Sequence, residues 1–151
     1  MRIHEMTPAE CEQVLGGTDF GRLACARHDQ PYIVPIYFYF DGEARCLYSF
    51  ATVGRKIEWM RENPKVCVEV DQIADRFRWT TVLIFGRYEE VAEGADVSDS
   101  HRRALELFRQ RPEWWLPAAG KLVGGEEHHS PVVYRILIDR LSGRRAGPGT
   151  T

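Results

Sequence analysis

The sequence predicts a mainly β fold, a small antiparallel barrel of about six strands with roughly two to four flanking helices. Short segments of alternating apolar residues recur along the chain, and the turn signal Asp41-Gly42 joins two of them as a hairpin. Only a few helical segments lie between them, whereas a parallel sheet needs a crossover helix after almost every strand. Closure into a barrel also removes the exposed edges that so many strands would otherwise leave.

Composition bounds the class of protein. The chain has 151 residues, of which 44% are hydrophobic and 28% charged, so we expect one globular domain with a hydrophobic core. The net charge of −2 gives no general attraction to nucleic acid or to an anionic membrane surface. No apolar stretch is long enough for a membrane helix, and charged residues near the start argue against a secretory signal.

The four cysteines indicate a reducing compartment. Cys11, Cys25, Cys46 and Cys67 are scattered along the chain, without the close pairing that a zinc site uses. The last three lie within apolar strand patterns, where a reduced cysteine behaves as a small hydrophobic residue. We therefore expect four free thiols and a cytoplasmic protein.

The first element is a helix with both ends marked, within "MTPAECEQVLGG". Thr7 is a suitable N-cap, Pro8 suits the first helical position, and Glu10 completes a capping box. Gly16 or Gly17 ends the helix, because glycine readily adopts the conformation that terminates one.

Three strands follow this helix. The segment "GRLACARH" alternates, and "YIVPIYFYF" is apolar on both faces, as expected of a strand that is buried on both sides or lies at a subunit contact. After the turn at Asp41-Gly42, "RCLYSF" returns antiparallel to the preceding strand.

The second half of the chain predicts two helices and three strands. A helix that begins near Gly54 ends at Asn63-Pro64, and residues 98–111 form another. Gly86 marks a bulge or bend within its strand. The strands are "KVCVEVD", "WTTVLIFGRYEEV" and "PVVYRILIDRLSGRR". We expect one domain over residues 1–145 and a flexible tail over residues 146–151.

The start of the helix after the third strand carries an unusual pair of cations. The macrodipole makes this end of a helix positive, so Arg55 and Lys56 are unfavourable there unless an anion binds. With Thr52 as N-cap, the backbone N–H groups of the first turn lack intrahelical partners and are available to a phosphate. Gly54 leaves room for the phosphate to approach. The alternative is a solvated helix in which Glu58 and Glu62 pair with the cations.

The order and spacing of these segments resemble the pyridoxamine 5'-phosphate oxidase-like superfamily, small flavin-binding split β-barrels that usually form dimers. The resemblance covers about residues 5–145, nearly the whole chain. Within the superfamily, the nitroimidazole-resistance-like proteins are most similar around "GRKIEWMRENPKVCVEVD". The other matching segments are "GRLACARHDQPYIVPIYFYF", "WTTVLIFGRYEEV" and "VVYRILIDRLSGRR".

The resemblance implies an FMN site between the two subunits of a homodimer. Its contacts come from the second strand, the end of the third strand, the basic helix start and the beginning of the long strand. The FMN-binding residues implied are Val34, Pro35, Ile36, Tyr37, Ser49, Phe50, Ala51, Thr52, Arg55, Lys56, Trp79 and Thr80. Pro35 agrees with this, because proline lacks an N–H and marks an edge or bulge where a ligand can replace a strand partner.

The same resemblance implies a flavin-dependent oxidoreductase that acts on a small molecule by hydride or electron transfer, with the chemistry supplied by the cofactor. The alternative is a non-catalytic binding or sensor protein, since relatives of this fold also bind deazaflavin F420 or haem. A third possibility is a cofactor-free dimer in which the groove is structural.

Ser49 departs from the family pattern. Many nitroimidazole-resistance-like proteins carry at this position a histidine that is implicated in their chemistry, and serine does not serve as such a proton donor near neutral pH. We therefore do not expect nitroimidazole reduction. The substrate phosphate contacts of pyridoxamine phosphate oxidases also have no clear match here, so vitamin B6 synthesis is not expected.

Three further features have a structural interpretation. The adjacent His128 and His129 lack an evident third ligand, so we expect a polar loop and no metal site. The arginines of "HRRALELFRQR" lie opposite an apolar face and indicate a solvated helix surface, without nucleic-acid binding. Of Trp114 and Trp115, we expect one to pack on the barrel and the other on a partner subunit or ligand.

Overall fold

The computed structural model describes residues 1–91, 99, 102, 103, 106, 110 and 132–148. Within these residues the chain forms eight strands and two helices. In chain order they are β1 (Arg2–Met6), α1 (Pro8–Gly16), β2 (Phe20–Arg27), β3 (Gln30–Tyr37), β4 (Tyr39–Asp41), β5 (Cys46–Ala51), α2 (Arg55–Glu62), β6 (Lys65–Asp75), β7 (Arg78–Glu90) and β8 (Val132–Gly147).

The strands form one antiparallel sheet in the order β3-β2-β6-β7-β8-β5-β4. β3 and β4 are the two ends of this order, yet only Phe38 separates them in the chain, so the sheet must curl until its ends meet. The 16-residue β8 pairs with β5 through its first part and with β1 through its last part. The mainly β split-barrel fold is therefore confirmed.

The strand count differs from the expected number of about six. The segment predicted as one strand, "YIVPIYFYF", divides at Phe38 into β3 and β4, because the chain there passes from one end of the sheet to the other. β1 was not predicted at all. It is almost entirely exposed and gains its order from pairing with β8, Arg2 opposite Gly147 through Met6 opposite Gly143.

The core lies inside the curled sheet and is covered by the two helices. Each apolar side chain that is removed from water contributes on the order of 1.5–3 kcal/mol. Helix α1 buries Cys11, Val14 and Leu15, and α2 buries Ile57 and Met60. The strand residues that are fully buried among them are Leu23, Leu47, Val68, Val70, Val82, Ile84, Tyr134 and Ile136.

The predicted helix signals are present at α1 and at the end of α2. The Glu10 N–H donates to the Thr7 hydroxyl at 3.3 Å, and the Thr7 N–H donates to the Glu10 carboxylate at 2.8 Å, which confirms the capping box. Helix α2 ends at Glu62, and Asn63 fixes this end by donating its side-chain amide to the Ala26 carbonyl at 3.0 Å.

The long strands contain one irregularity and extend further than expected. The β7–β8 register shifts between Phe85 and Gly86, so the predicted bulge is confirmed. β8 continues to Gly147, two residues into the predicted tail, because Ala146 pairs with Trp79 of β7 and with Ile3 of β1. Residues 149–151 of that tail lie outside the described residues.

Other predictions fall partly or wholly outside the described part of the chain. Of the helix predicted over residues 98–111, the described residues 99, 102, 103 and 106 are helical, and its apolar face lies outside them. Trp114, Trp115, His128 and His129 lie outside as well. All four cysteines are free thiols, as predicted. Among the residues that the structure describes, no helix is both long and apolar enough to span a membrane.

Candidate functional site

Helix α2 begins later than the sequence predicted. Its N-cap is Gly54, whose carbonyl accepts the first intrahelical hydrogen bond from the Glu58 N–H at 3.0 Å. Thr52 was predicted as the N-cap, and this prediction is wrong: Thr52 lies two residues before the cap, and no side chain caps the helix. The four N–H groups without intrahelical partners are therefore those of residues 54–57.

The two cations at this helix start occupy different environments. Arg55 is exposed, and its guanidinium lies 5.5 Å from the centre of the Tyr32 ring of β3, within cation–π distance. Lys56 is half-buried. Burial lowers the pKa of the Lys56 ammonium group, an effect that the nearby Cys25 thiol opposes. Helix α2 therefore points one cation at solvent and draws the other toward β2.

Neither cation has an acidic partner among the described residues. At the opposite end of α2, Glu62 forms an ion pair with Arg27 at 3.7 Å and lies 3.3 Å from the His28 imidazole. Glu58 forms no ion pair with Arg55 or Lys56 in this part of the chain. The predicted alternative, in which the two glutamates neutralise the cations, is not observed. The helix start thus combines a partly desolvated positive charge with free N–H donors, an arrangement that a phosphate would stabilise.

Space for an anion is available beside Gly54. A Cβ added at this glycine would meet only the Thr52 carbonyl, at 3.9 Å. The backbone of Gly54 is extended, with φ of −163°, so other residues adopt this conformation without strain. The predicted reason for the glycine, an unobstructed approach to the helix start, remains compatible with the geometry.

The predicted strand residues of the site lie on an edge of the sheet. β3 pairs with β2 alone among the described strands, which agrees with the edge position inferred from Pro35. Along β3 the burial alternates: Ile36 is buried and Val34 packs against the core, while Pro35 and Tyr37 are exposed. The edge next to Arg55 is therefore backbone flanked by apolar side chains.

Ser49 closes the barrel where β3 and β5 meet. It is 3% exposed, and its hydroxyl donates to the Tyr37 carbonyl at 2.6 Å. Across the strand pair Ser49 faces Tyr134, and burial raises the pKa of the Tyr134 phenol to about 12. Because its hydroxyl proton is engaged with a backbone carbonyl, Ser49 has a structural role in this geometry.

The remaining predicted residues of β5 lead to the helix start. Phe50 is half-buried, Ala51 is buried and Thr52 is exposed. The structure thus brings the end of β5, the edge strand β3 and the first turn of α2 to one side of the barrel. Two residues beside the cations were not predicted as part of the site: Tyr32 contacts Arg55, and Cys25 lies near Lys56. Cys25 of β2 pairs with Tyr32 of β3, and the short turn at His28-Asp29 sets this register.

Trp79 and Thr80 lie elsewhere. They open β7 and pair with Ile73 and Gln72 of β6, whereas β2 beside the helix start meets β6 at Cys67. Six residues of β6 separate the two places, about 20 Å at the usual rise of a strand. A single chain therefore does not bring Trp79 and Thr80 to Arg55 and Lys56.

Instead, Trp79 and Thr80 line a separate cleft, here called the β7 cleft. It has a volume of about 560 Å³ and is open to solvent. Its walls come from the β6–β7 hairpin and the end of β8, and its polar and aromatic lining residues are Gln72, Arg78, Trp79, Thr80 and Arg145.

An antiparallel sheet that curls until its two end strands meet defines a split β-barrel protein. Residues 7–145 match the family described as pyridoxamine 5'-phosphate oxidase. The chain belongs to this family, which confirms the resemblance inferred from the sequence.

Three relatives illustrate the similarity. An uncharacterised protein of Rhizobium meliloti (strain 1021) is 36% identical and aligns over 99% of each chain. The crystal structure of a FAD-binding protein from Mesorhizobium loti is also 36% identical, covers 98% of this chain and 99% of that one, and has a TM-score of 0.78. A structure named as a candidate 5-nitroimidazole antibiotic resistance protein, from Bacteroides thetaiotaomicron, shares the fold at 15% identity and a TM-score of 0.60, over 96% and 89% of the two chains.

Proposed function

We propose that this protein binds a flavin nucleotide, FMN, with the phosphate at the start of α2. The observation that carries this proposal is the pair Arg55 and Lys56, which have no acidic partner among the described residues and stand beside free backbone N–H donors. The half-buried Lys56 is costly without a counterion. A relative that is 36% identical over nearly its whole length is named a FAD-binding protein, which supports a flavin as the ligand.

The residues around the start of α2 suit the phosphate, the ring and the ribityl chain of FMN. Arg55 and Lys56 would hold the phosphate together with the N–H groups of the first turn of α2. The outer edge of β3, which pairs with no other strand in the described part of the chain, offers backbone donors and acceptors to a planar ring. Pro35 interrupts that row because it lacks an N–H. The residues from Ser49 to Thr52 would line the ring and the ribityl chain. When bound, the flavin supplies hydride or electron transfer.

We further propose that the protein is a homodimer and a flavin-dependent oxidoreductase for a small molecule or electron acceptor. Exposed apolar side chains on the outer face of β2 and β3 favour association: Phe20, Ile33 and Tyr37 are 38%, 65% and 43% exposed. If Trp79 and Thr80 contact the flavin, as the resemblance implies, they have to come from a second chain, since about 20 Å along β6 separates their strand position from that of their own helix start.

The second candidate is a non-catalytic flavin-binding or sensor protein, or one that binds deazaflavin F420 or haem. The engaged hydroxyl of Ser49 favours it: the proton is donated to the Tyr37 carbonyl, so this position does not offer a proton to a ligand. Reduction of the bound flavin by NADH or NADPH, with reoxidation by an added acceptor, favours the enzyme. A flavin that neither pyridine nucleotide reduces favours the binding protein.

The proposed phosphate site at Arg55 and Lys56 is tested with the double variant Arg55→Ala/Lys56→Ala. Arg61→Ala, at the other end of the same helix, is the control. Two charge-assisted hydrogen bonds at about 1.5–3 kcal/mol each predict a Kd for FMN that is about 10²–10⁴-fold weaker. The control is expected to change the Kd by less than about three-fold. Full retention of stoichiometric FMN by the double variant contradicts the proposed phosphate site.

The identity of the cofactor is a separate measurement. The absorption spectrum of the purified protein separates flavin, deazaflavin and haem, and the mass of the released molecule separates FMN from FAD. A colourless protein that gains no thermal stability on addition of FMN would support the cofactor-free alternative, because a ligand that binds only the folded state raises the melting temperature.

A further inference from the structure

Two cations and two aromatic rings form a row of contacts beside helix α2. The Arg55 guanidinium lies 5.5 Å from the centre of the Tyr32 ring, and the centres of the Tyr32 and Trp59 rings lie 5.4 Å apart. The Arg27 guanidinium in turn lies 5.0 Å from the centre of the Trp59 ring. This set of four side chains, here called the cation–aromatic row, begins at the first turn of α2, where the proposed phosphate site lies.

The spacing of residues on α2 and the pairing of β2 with β3 explain the row. Arg55 and Trp59 are four residues apart, so they lie one turn apart on the same face of the helix. Tyr32 and Arg27 belong to the adjacent strands β3 and β2. The rings of Tyr32 and Trp59 are half-buried and pack against the hydrophobic core. The Tyr32 ring is therefore a supported surface next to the exposed Arg55.

The contact with Tyr32 restrains Arg55 without using its hydrogen-bond donors. The guanidinium has five N–H donors, and a cation–π contact requires no acceptor. Glu58, one turn further along the same face of α2, forms no ion pair with Arg55 in the part of the chain that the structure describes. A carboxylate would compete with a phosphate for the same donors. An aromatic ring instead holds the cation and leaves the donors available.

We propose that Tyr32 is a positioning residue for an anion site at the start of α2. Its ring holds the guanidinium of Arg55 where that group donates to a phosphate, and Trp59 fixes the Tyr32 ring in turn. An arginine that is already restrained loses less side-chain freedom when a ligand binds, so the contact strengthens binding of the phosphate. This inference rests on the proposed phosphate site and adds to it a residue that acts through Arg55.

The test compares FMN with riboflavin, two probes that differ only in the phosphate. Both are titrated into the ligand-free full-length protein, and the ratio of the riboflavin Kd to the FMN Kd measures the phosphate preference. Tyr32→Phe keeps the ring and is expected to keep this preference. Tyr32→Leu is expected to lower it about two- to five-fold, the worth of an exposed cation–π contact, and to leave the Kd for riboflavin unchanged.

A double-variant cycle assigns the effect to Arg55. In the Arg55→Ala background, Tyr32→Leu is expected to cause no further loss of phosphate preference, because the ring then has no guanidinium to hold. Arg27→Ala is the matched control, since it removes the cation–aromatic contact at the other end of the row and is expected to keep the preference. A fluorinated phenylalanine at position 32 weakens the negative face of the ring with little change of shape, so it is expected to lower the preference below that of Tyr32→Phe.

The possible failures are distinguishable. Equal weakening of FMN and riboflavin by Tyr32→Leu would overturn the positioning role, because the ring would then support the whole site. Additive losses in the cycle would overturn it as well, since Tyr32 would act without Arg55. If Tyr32→Leu is unfolded by its melting temperature, an unchanged preference with the fluorinated ring has the same consequence. Equal affinity of the wild type for the two probes, including no binding of either, contradicts the phosphate site itself and the role of Tyr32 with it.

Discussion

Replacing Ser49 with alanine tests whether this residue closes the barrel. Ser49 is 3% exposed, and its hydroxyl donates to the Tyr37 carbonyl at 2.6 Å. Alanine fits the same space but removes this donor, so the Tyr37 carbonyl loses a partner. Such a loss costs about 1–3 kcal/mol. For a chain of this length each kcal/mol lowers the melting temperature by about 2–4 °C, so we expect a decrease of about 2–12 °C.

Thermal unfolding of the ligand-free protein, followed by circular dichroism, measures this decrease. Ser142→Ala is the matched control, since Ser142 is an exposed serine on β8, and its melting temperature is expected to stay within about 1 °C of the wild type. An unchanged melting temperature for Ser49→Ala would refute the closing role. If FMN binding fell while stability did not, Ser49 would instead act directly on the ligand.

Three further predictions concern individual residues. Gly86→Ala places a Cβ 2.3 Å from the Leu137 carbonyl oxygen. We therefore expect the free energy of unfolding, measured with denaturant, to fall by at least about 1–3 kcal/mol. Gly16→Ala is the control, because the space around Gly16 is open, and it is expected to cause no such loss. Thr7→Ala removes the capping box of α1 and should cost about 1 kcal/mol by the same measurement. In the folded protein the pKa of Lys56 lies below its usual 10.5. Between the folded and the unfolded pKa the unfolded chain binds more protons, so the free energy of unfolding of the ligand-free protein rises with pH in that range. Lys56→Met should lose this rise, and an identical pH profile of unfolding would contradict it.

The parts of the fold that the sequence predicts correctly are those set by neighbouring residues. The capping box of Thr7 and Glu10 lies within one turn, and the turn after Asp41 is fixed locally, because the Asp41 carboxylate accepts from the N–H groups of Glu43 and Ala44 at 3.1 Å. The alternation that buries Leu23 is likewise visible within one strand. These features require no knowledge of distant parts of the chain.

The features that the sequence did not predict depend on pairing between distant segments. β1 has no apolar alternation and exists because its residues pair with the end of β8, more than a hundred positions later. The division at Phe38 depends on which strands β3 and β4 pair with. The N-cap of α2 was predicted wrongly for a local reason. Thr52 and Gly54 are both acceptable N-caps, and the first intrahelical hydrogen bond, which Gly54 accepts, decides between them.

The position of Trp79 decides how much of the site one chain can contain. The resemblance grouped Trp79 with Arg55, but the strand partners next to them lie six residues apart on β6, about 20 Å along that strand. A dimer with two-fold symmetry offers each surface twice, so a contact between the helix start of one copy and the β7 cleft of the other would occur in two equivalent places. Under that arrangement Trp79 of one copy and Arg55 of the other would contact the same ligand, whereas in a monomer Trp79 would not contact a ligand held at α2. The effect of Trp79→Leu on FMN binding therefore distinguishes a site shared between two chains from a site held by one chain.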